Sequence, residues 1–160
     1  MLIPLSTRIS PLVKPLHICV FLLTLASPPI AAAPTSDLDP IIVNNDDGGL
    51  LLPRGDLINK YIREGREVRI VGRYCNSACT MFLAVPNLCV SSRTRFGFHG
   101  PSWYGFIPAE GYAFEAGSLF MARHYPEPIR SWYIEHARFI QSGYKFLTGA
   151  ELIRHGIRSC

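Results

Sequence analysis

The chain has 160 residues, 16 Lys and Arg against 12 Asp and Glu, and 48% hydrophobic residues. That length matches one ordinary domain, with enough chain for a single core. Its basic residues are scattered, without a run or a basic–aromatic stripe, which argues against a nucleic-acid partner.

Residues 1–33 read as an export signal. Arg8 and Lys14 are the only charges before Asp37, the apolar stretch Ile18 to Ala26 follows them, and Ala31-Ala32-Ala33 comes next. Basic, then apolar, then small is the order of a cleavable signal. The stretch is far shorter than the roughly 20 residues that span a bilayer, so no stable membrane anchor is expected. Residues 34–40 read as a loose leader and residues 41–160 as the folded domain, exported to a periplasmic or extracellular space. The exported part carries 14 basic and 12 acidic side chains, a net charge near +2.

Along that part, Ile41-Ile42-Val43 predicts a short buried strand ended by the turn-rich Asn44–Gly49. Pro53 opens a helix with Leu57, Ile58, Tyr61 and Ile62 at helical spacing, and Gly65 closes it. Residues 68–71 form the next strand, giving the strand–helix–strand order of a parallel unit. Ser77 opens an apolar helix that stops before Pro86. Strands are expected at 88–90 and 95–98, a Gly/Pro-rich aromatic flap over 101–113, and helices at 115–124 and 128–140. Thr148 with Glu151 predicts a capping box on a final helix.

Three features converge on one chemistry. Ser77 lies at a strand-to-helix junction among small residues, where a hydroxyl is exposed beside free helix N–H groups. A serine needs an adjacent base, and His99 ends a strand 22 residues later. Gly48-Gly49 ends the first strand, where bare backbone amides can approach an oxyanion. Singly, each has an ordinary explanation: a helix N-cap, a strand-end histidine, a turn. Their shared placement at strand ends favours a site, because ligands of open α/β sheets collect there. His124, His136 and His155 fall on predicted helices and read as packed or surface side chains.

These residues resemble the Clp protease proteolytic subunit and its crotonase-fold relatives. Asn45-Asp46-Asp47-Gly48-Gly49 is similar to the family's glycine-pair motif, Ser77–Leu83 to its nucleophile helix and Phe98-His99-Gly100-Pro101 to its histidine segment. The Cys-x-Ser-Ala-Cys form resembles an exported bacterial branch, and Phe146–Ile157 resembles the closing segment. The resemblance implies an α/β fold of the Clp/crotonase ββα spiral type, with a small, mostly parallel sheet flanked by helices and an abridged N-terminal part. It implies a serine peptidase with Ser77 as nucleophile, His99 as base, and Gly49, Gly48 and Ala78 amides as oxyanion hole. Tyr144 occupies the place of the family's triad Asp. Loss of that acid costs about 10⁴ in rate in the template triad. A peptide or protein substrate is implied, a homo-oligomer is allowed, and no cofactor is called for. The alternative is a catalytically inactive interaction module on the same fold, suggested by Tyr144 and by the flap residues Trp103, Tyr104, Phe106 and Tyr112.

After export, Cys75, Cys79, Cys89 and Cys160 remain. Cys75 and Cys79 flank Ser77; their mutual disulfide would pin the nucleophile turn, and a bond from either to Cys89 would staple helix to strand. Zinc is disfavoured, because Cys-x₃-Cys with one distant His lacks the closer pairs and four ligands of such sites.

Overall fold

The structure is a computed structural model, and it describes residues 38–103 and 107–160. The export signal expected over 1–33, residues 34–37 of the leader, and Tyr104 and Phe106 of the flap lie outside the described residues.

The protein is α/β, with small, mostly parallel sheets and helices packed against them. Strand β1 (Ile41–Val43) leads to helix α1 (Leu51–Arg63) and back to β2 (Val68–Ile70). Together with β4 (Leu88–Val90) they form a three-stranded parallel sheet in the order β1-β2-β4. In β2 the alternation decides the faces: Val68 and Ile70 are fully buried, while Arg69 points outward to Glu67 at 2.7 Å. A second sheet, in the order β3-β5-β8, combines β3 (Tyr74–Asn76) parallel to β5 (Arg95–Phe98) and β8 (Lys145–Thr148) antiparallel to β5. The predicted strand at 68–71 thus ends earlier and a separate strand begins at Tyr74, because the chain turns at Gly72 into the second sheet.

Between β3 and β4 the apolar segment Ser77–Ala84 winds as a 3-10 helix, tighter than the ordinary helix expected from its composition. Thr80 contributes to that tightening locally: its hydroxyl donates to the Ser77 carbonyl, three residues back, at 2.7 Å. Helix α1 lies on this segment, with Tyr61 stacked on Phe82 at 6.2 Å between centroids. The flap forms a small hairpin, β6 (Ser102–Trp103) with β7 (Ile107–Pro108), and helix α2 (Gly111–Ala122) starts earlier than predicted. Helix α3 (Ile129–Trp132) continues as a π turn through Ala137. It seals the second sheet through Phe98, whose ring meets Trp132 edge-on at 5.2 Å and Tyr125 at 5.4 Å. The capping box forms as predicted on α4 (Gly149–Arg154), with Thr148 and Glu151 each bonding the other's backbone.

Two disulfides are present, Cys75–Cys79 and Cys89–Cys160. The alternative of joining Cys75 or Cys79 to Cys89 is not realised, because Cys89 on β4 is met by the C-terminal segment. Val90 N–H donates to the Arg158 carbonyl at 2.9 Å and Cys160 N–H to the Val90 carbonyl at 3.1 Å. Arg158 also reaches Glu67 at 2.8 Å, and hydrogen bonds from Arg69 and then Arg158 hold the Glu67 carboxyl down at about 2. Among the described residues, no helix is long and apolar enough to cross a membrane.

The Cys89–Cys160 bond closes a loop of 71 residues in sequence. Replacing both cysteines by serine is expected to lower unfolding stability by about 2–4 kcal/mol. A lower urea midpoint, with a slope that rises because the released unfolded chain exposes more surface, would show it.

Candidate active site

Strand pairing delivers each site residue in turn. β3 and β5 run parallel with Asn76 opposite Gly97, so the residues just beyond them, Ser77 and His99, leave the sheet at the same edge. β8 runs the other way with Lys145 opposite Phe98, which brings Tyr144 alongside His99. The first strand's exit loop runs beside β3: Asp46 bridges Cys75, and Asn76 N–H donates to the Asp46 carbonyl at 2.8 Å. Gly48 therefore arrives next to Ser77.

Ser77 adopts φ +53°, a left-handed backbone that non-glycine residues seldom hold. It is not a helix N-cap. Asn76 occupies that position, and no side chain caps the helix. Such a conformation costs about 1–3 kcal/mol and persists only where its surroundings over-determine it. Here the Cys75–Cys79 bond ties the residues two before and two after Ser77, and both cysteines are fully buried. On the open side Gly48 lies so close that a Cβ there would stand 2.6 Å from Ser77 Cβ and 2.9 Å from the Asn76 carbonyl. With its φ of +109°, position 48 admits glycine alone.

The Ser77 hydroxyl lies 2.6 Å from His99 Nε2. In the Nδ1-protonated tautomer the hydroxyl donates to Nε2, the arrangement a general base requires. His99 is 7% exposed, and burial lowers its pKa below the usual histidine value, so the ring is neutral at physiological pH. Its backbone carbonyl accepts from the Tyr133 hydroxyl at 3.3 Å. No hydrogen bond to Nδ1 forms among the described residues. Tyr144 instead meets the imidazole edge-to-face, with centroids 5.2 Å apart and planes at 84°. The contact that holds the ring is therefore with the tyrosine ring and not with its hydroxyl. Gly97 makes the arrangement possible, since a Cβ there would collide with Asn76 Oδ1 and the Tyr144 ring. Burial, then the charge of Asp47, raises the Tyr144 pKa, so this phenol stays protonated.

Of the three expected oxyanion donors, Gly48 is already engaged: its N–H donates to Asp46 Oδ1 at 2.8 Å. Gly49, exposed and at φ +125°, and Ala78 remain. Ala78 N–H lies in the first turn of its helix, where no intrahelical acceptor exists. It sits 3.0 Å from where a Gly48 Cβ would be. A depression of about 330 Å³ opens beside Gly48, lined by Leu50, Pro53, Arg54 and Leu57.

Sequence reasoning missed two residues that shape this site, Asp46 and Arg54. Their carboxylate and guanidinium pair at 2.8 Å, and Arg54 also reaches the Gly48 carbonyl at 2.7 Å. Both are ordinary in sequence, one in a turn and one in the first turn of a helix, so no local spacing signals their pairing. Among the described residues no group of three or more His, Cys, Asp and Glu side chains is placed to hold a metal. No family model, curated protein or solved structure matches the chain.

The Tyr144 contact separates two ways of orienting His99. Tyr144→Phe keeps the ring and is expected to leave reactivity of the Ser77 hydroxyl within about twofold, whereas Tyr144→Ala removes the edge contact, worth about 0.5–1.5 kcal/mol, and lowers it several-fold. Equal losses in both variants would instead assign the role to the hydroxyl.

Proposed function

We propose that the protein is an exported serine hydrolase, a peptidase or esterase working through a Ser77–His99 dyad on a Clp/crotonase-type ββα fold. One observation carries the reading: a strained, left-handed serine whose hydroxyl sits 2.6 Å from a buried, neutral imidazole. Serines with only a structural task have no need of that combination. Left-handed backbone at a strand-to-helix turn lifts the hydroxyl clear of the helix, as nucleophile turns require. Export is supported by the signal-like residues 1–33 and by two disulfides, which persist in oxidising compartments.

The chemistry follows from the groups in place. Ser77 Oγ attacks an acyl carbon as its proton passes to His99 Nε2. The carbonyl oxygen becomes an oxyanion and accepts from the Gly49 and Ala78 N–H groups. Collapse breaks the bond to the leaving group, which takes the proton back from Nε2, and an acyl-Ser77 ester remains. Water, deprotonated by the same nitrogen, then releases the acid and restores the serine. The depression offers Leu50, Pro53 and Leu57 to an apolar acyl or side-chain group, with Arg54 on its wall. No carboxylate stands behind His99 Nδ1 among the described residues, so the imidazolium forms without an orienting charge. Turnover well below that of a full triad is expected, by a factor on the order of 10⁴.

That same gap favours a second reading, an interaction module that retained the fold without turnover. A fluorophosphonate probe distinguishes the two. Labelling of Ser77 in wild type, lost in Ser77→Ala and slowed about 10²- to 10⁴-fold in His99→Ala, is the outcome expected of the hydrolase. A protein that folds and resists the probe at Ser77 is the module.

The pH dependence has a definite sign. A base works unprotonated, and burial lowers the His99 pKa. The labelling rate should therefore rise from acid and level off, with its midpoint below the usual histidine value of about 6.5. A midpoint above that value would contradict a base whose pKa is set by burial.

A further inference from the structure

We propose that Arg54 is a positioning residue for the oxyanion site: by gripping the Gly48 carbonyl it sets the direction in which the Gly49 N–H points. This rests on the serine-hydrolase reading above. Arg54 makes no hydrogen bond to Ser77 or His99; it acts through the peptide that joins the two glycines.

The geometry is specific. Arg54 Nη2 lies 2.7 Å from Gly48 O and 3.0 Å and 2.8 Å from the two oxygens of Asp46. Asp46 in turn accepts the Gly48 N–H at 2.8 Å, so both polar groups of Gly48 end on one ion pair. The Arg54 side chain is only 14% exposed, and its guanidinium lies 4.8 Å over the ring of Phe82. Phe82 belongs to the helix that Ser77 opens. A single side chain therefore rests on the helix carrying the nucleophile and holds the loop facing it.

The consequence for catalysis comes from the planarity of the peptide. The Gly48–Gly49 bond is trans, so its C=O and N–H point in opposite directions. With the carbonyl drawn to Arg54, the Gly49 N–H is directed away from it. Both flanking residues are glycines at positive φ, +109° and +125°, and neither has a Cβ to hinder rotation. Released from Arg54, this peptide is among the easiest in the chain to turn over. A reversed peptide would present a carbonyl oxygen where an oxyanion needs a donor. Lysine is a poor substitute, since its ammonium ends about one bond short of Nη2, the nitrogen that makes all three contacts, and lacks the planar guanidinium face that lies over Phe82.

The test uses the full-length exported protein with p-nitrophenyl acetate as substrate and circular dichroism as a folding control. Arg54→Ala is expected to lower kcat roughly 10²-fold while KM stays within about twofold, because the peptide matters in the transition state more than in substrate binding. Added methylguanidinium should restore several-fold of that loss, and equal ammonium should not. Arg54→Lys, which keeps the charge and most of the stem, should fold as wild type and still lose at least about tenfold in kcat. Wild-type kcat in either folded variant would overturn the proposal, as would a loss carried by KM or one insensitive to methylguanidinium. If wild type neither turns over the ester nor takes the probe at Ser77, the hydrolase reading falls and this role with it. If wild type reacts and the Arg54 variants match it, only this role falls.

Discussion

The left-handed backbone of Ser77 is the constraint on which the site depends. A residue with φ of +53° and a side chain must be held there. Three elements do so at once. The Cys75–Cys79 bond fixes the chain on either side, the in-register pairing of β3 with β5 fixes its approach, and Gly48 leaves the space into which the serine projects. Each of these also places something else. The same pairing delivers His99, and the same glycine lets its loop lie against the Ser77–Ala78 backbone. The hydroxyl–imidazole contact of 2.6 Å is thus a product of sheet register rather than of local sequence.

Among the described residues, no carboxylate stands behind the His99 ring, and burial alone sets its pKa. His99 is shielded by burial, and its neighbour is the edge of an aromatic ring. Negative charge exists close by, on Asp46 and Asp47, but it is directed elsewhere. Asp46 is committed to Arg54 and the Gly48 amide, and Asp47 accepts from Asn76 Nδ2 at 3.2 Å and the Tyr74 hydroxyl at 3.3 Å. These carboxylates organise the loop that carries the glycines. In the proposed reaction His99 is a neutral ring whose readiness to accept a proton comes from its closeness to the Ser77 hydroxyl.

Much of this was legible in the sequence, for identifiable reasons. The β-branched run at 41–43 and the alternation at 68–70 predicted two strands that form at those positions, and Thr148 with Glu151 predicted a capping box that is present. Ser77, His99 and Gly48-Gly49 could be singled out because each ends a strand. Cys75–Cys79 belongs to one of the three full pairings that four cysteines allow, and the position of Cys160 beside Val90 decides among them. Other features depend on long-range contacts that leave no local pattern. β8 was missed because its four residues show one buried position, Leu147, and no alternation strong enough to read. The Gly48 amide was expected to be free, but Asp46, two residues earlier, occupies it. Arg54 was invisible as a site residue because its partners are fixed only when α1 docks on the helix of Ser77.

The proposed hydrolase stands on an acyl-Ser77 intermediate formed with His99 as the base. Brief mixing with p-nitrophenyl acetate, acid quenching and peptide mapping by mass spectrometry measures this directly. One acetyl group on Ser77 is expected in wild type, strongly diminished in His99→Ala and absent in Ser77→Ala. An unmodified Ser77, or acetylation at equal level in the His99 variant, would contradict it.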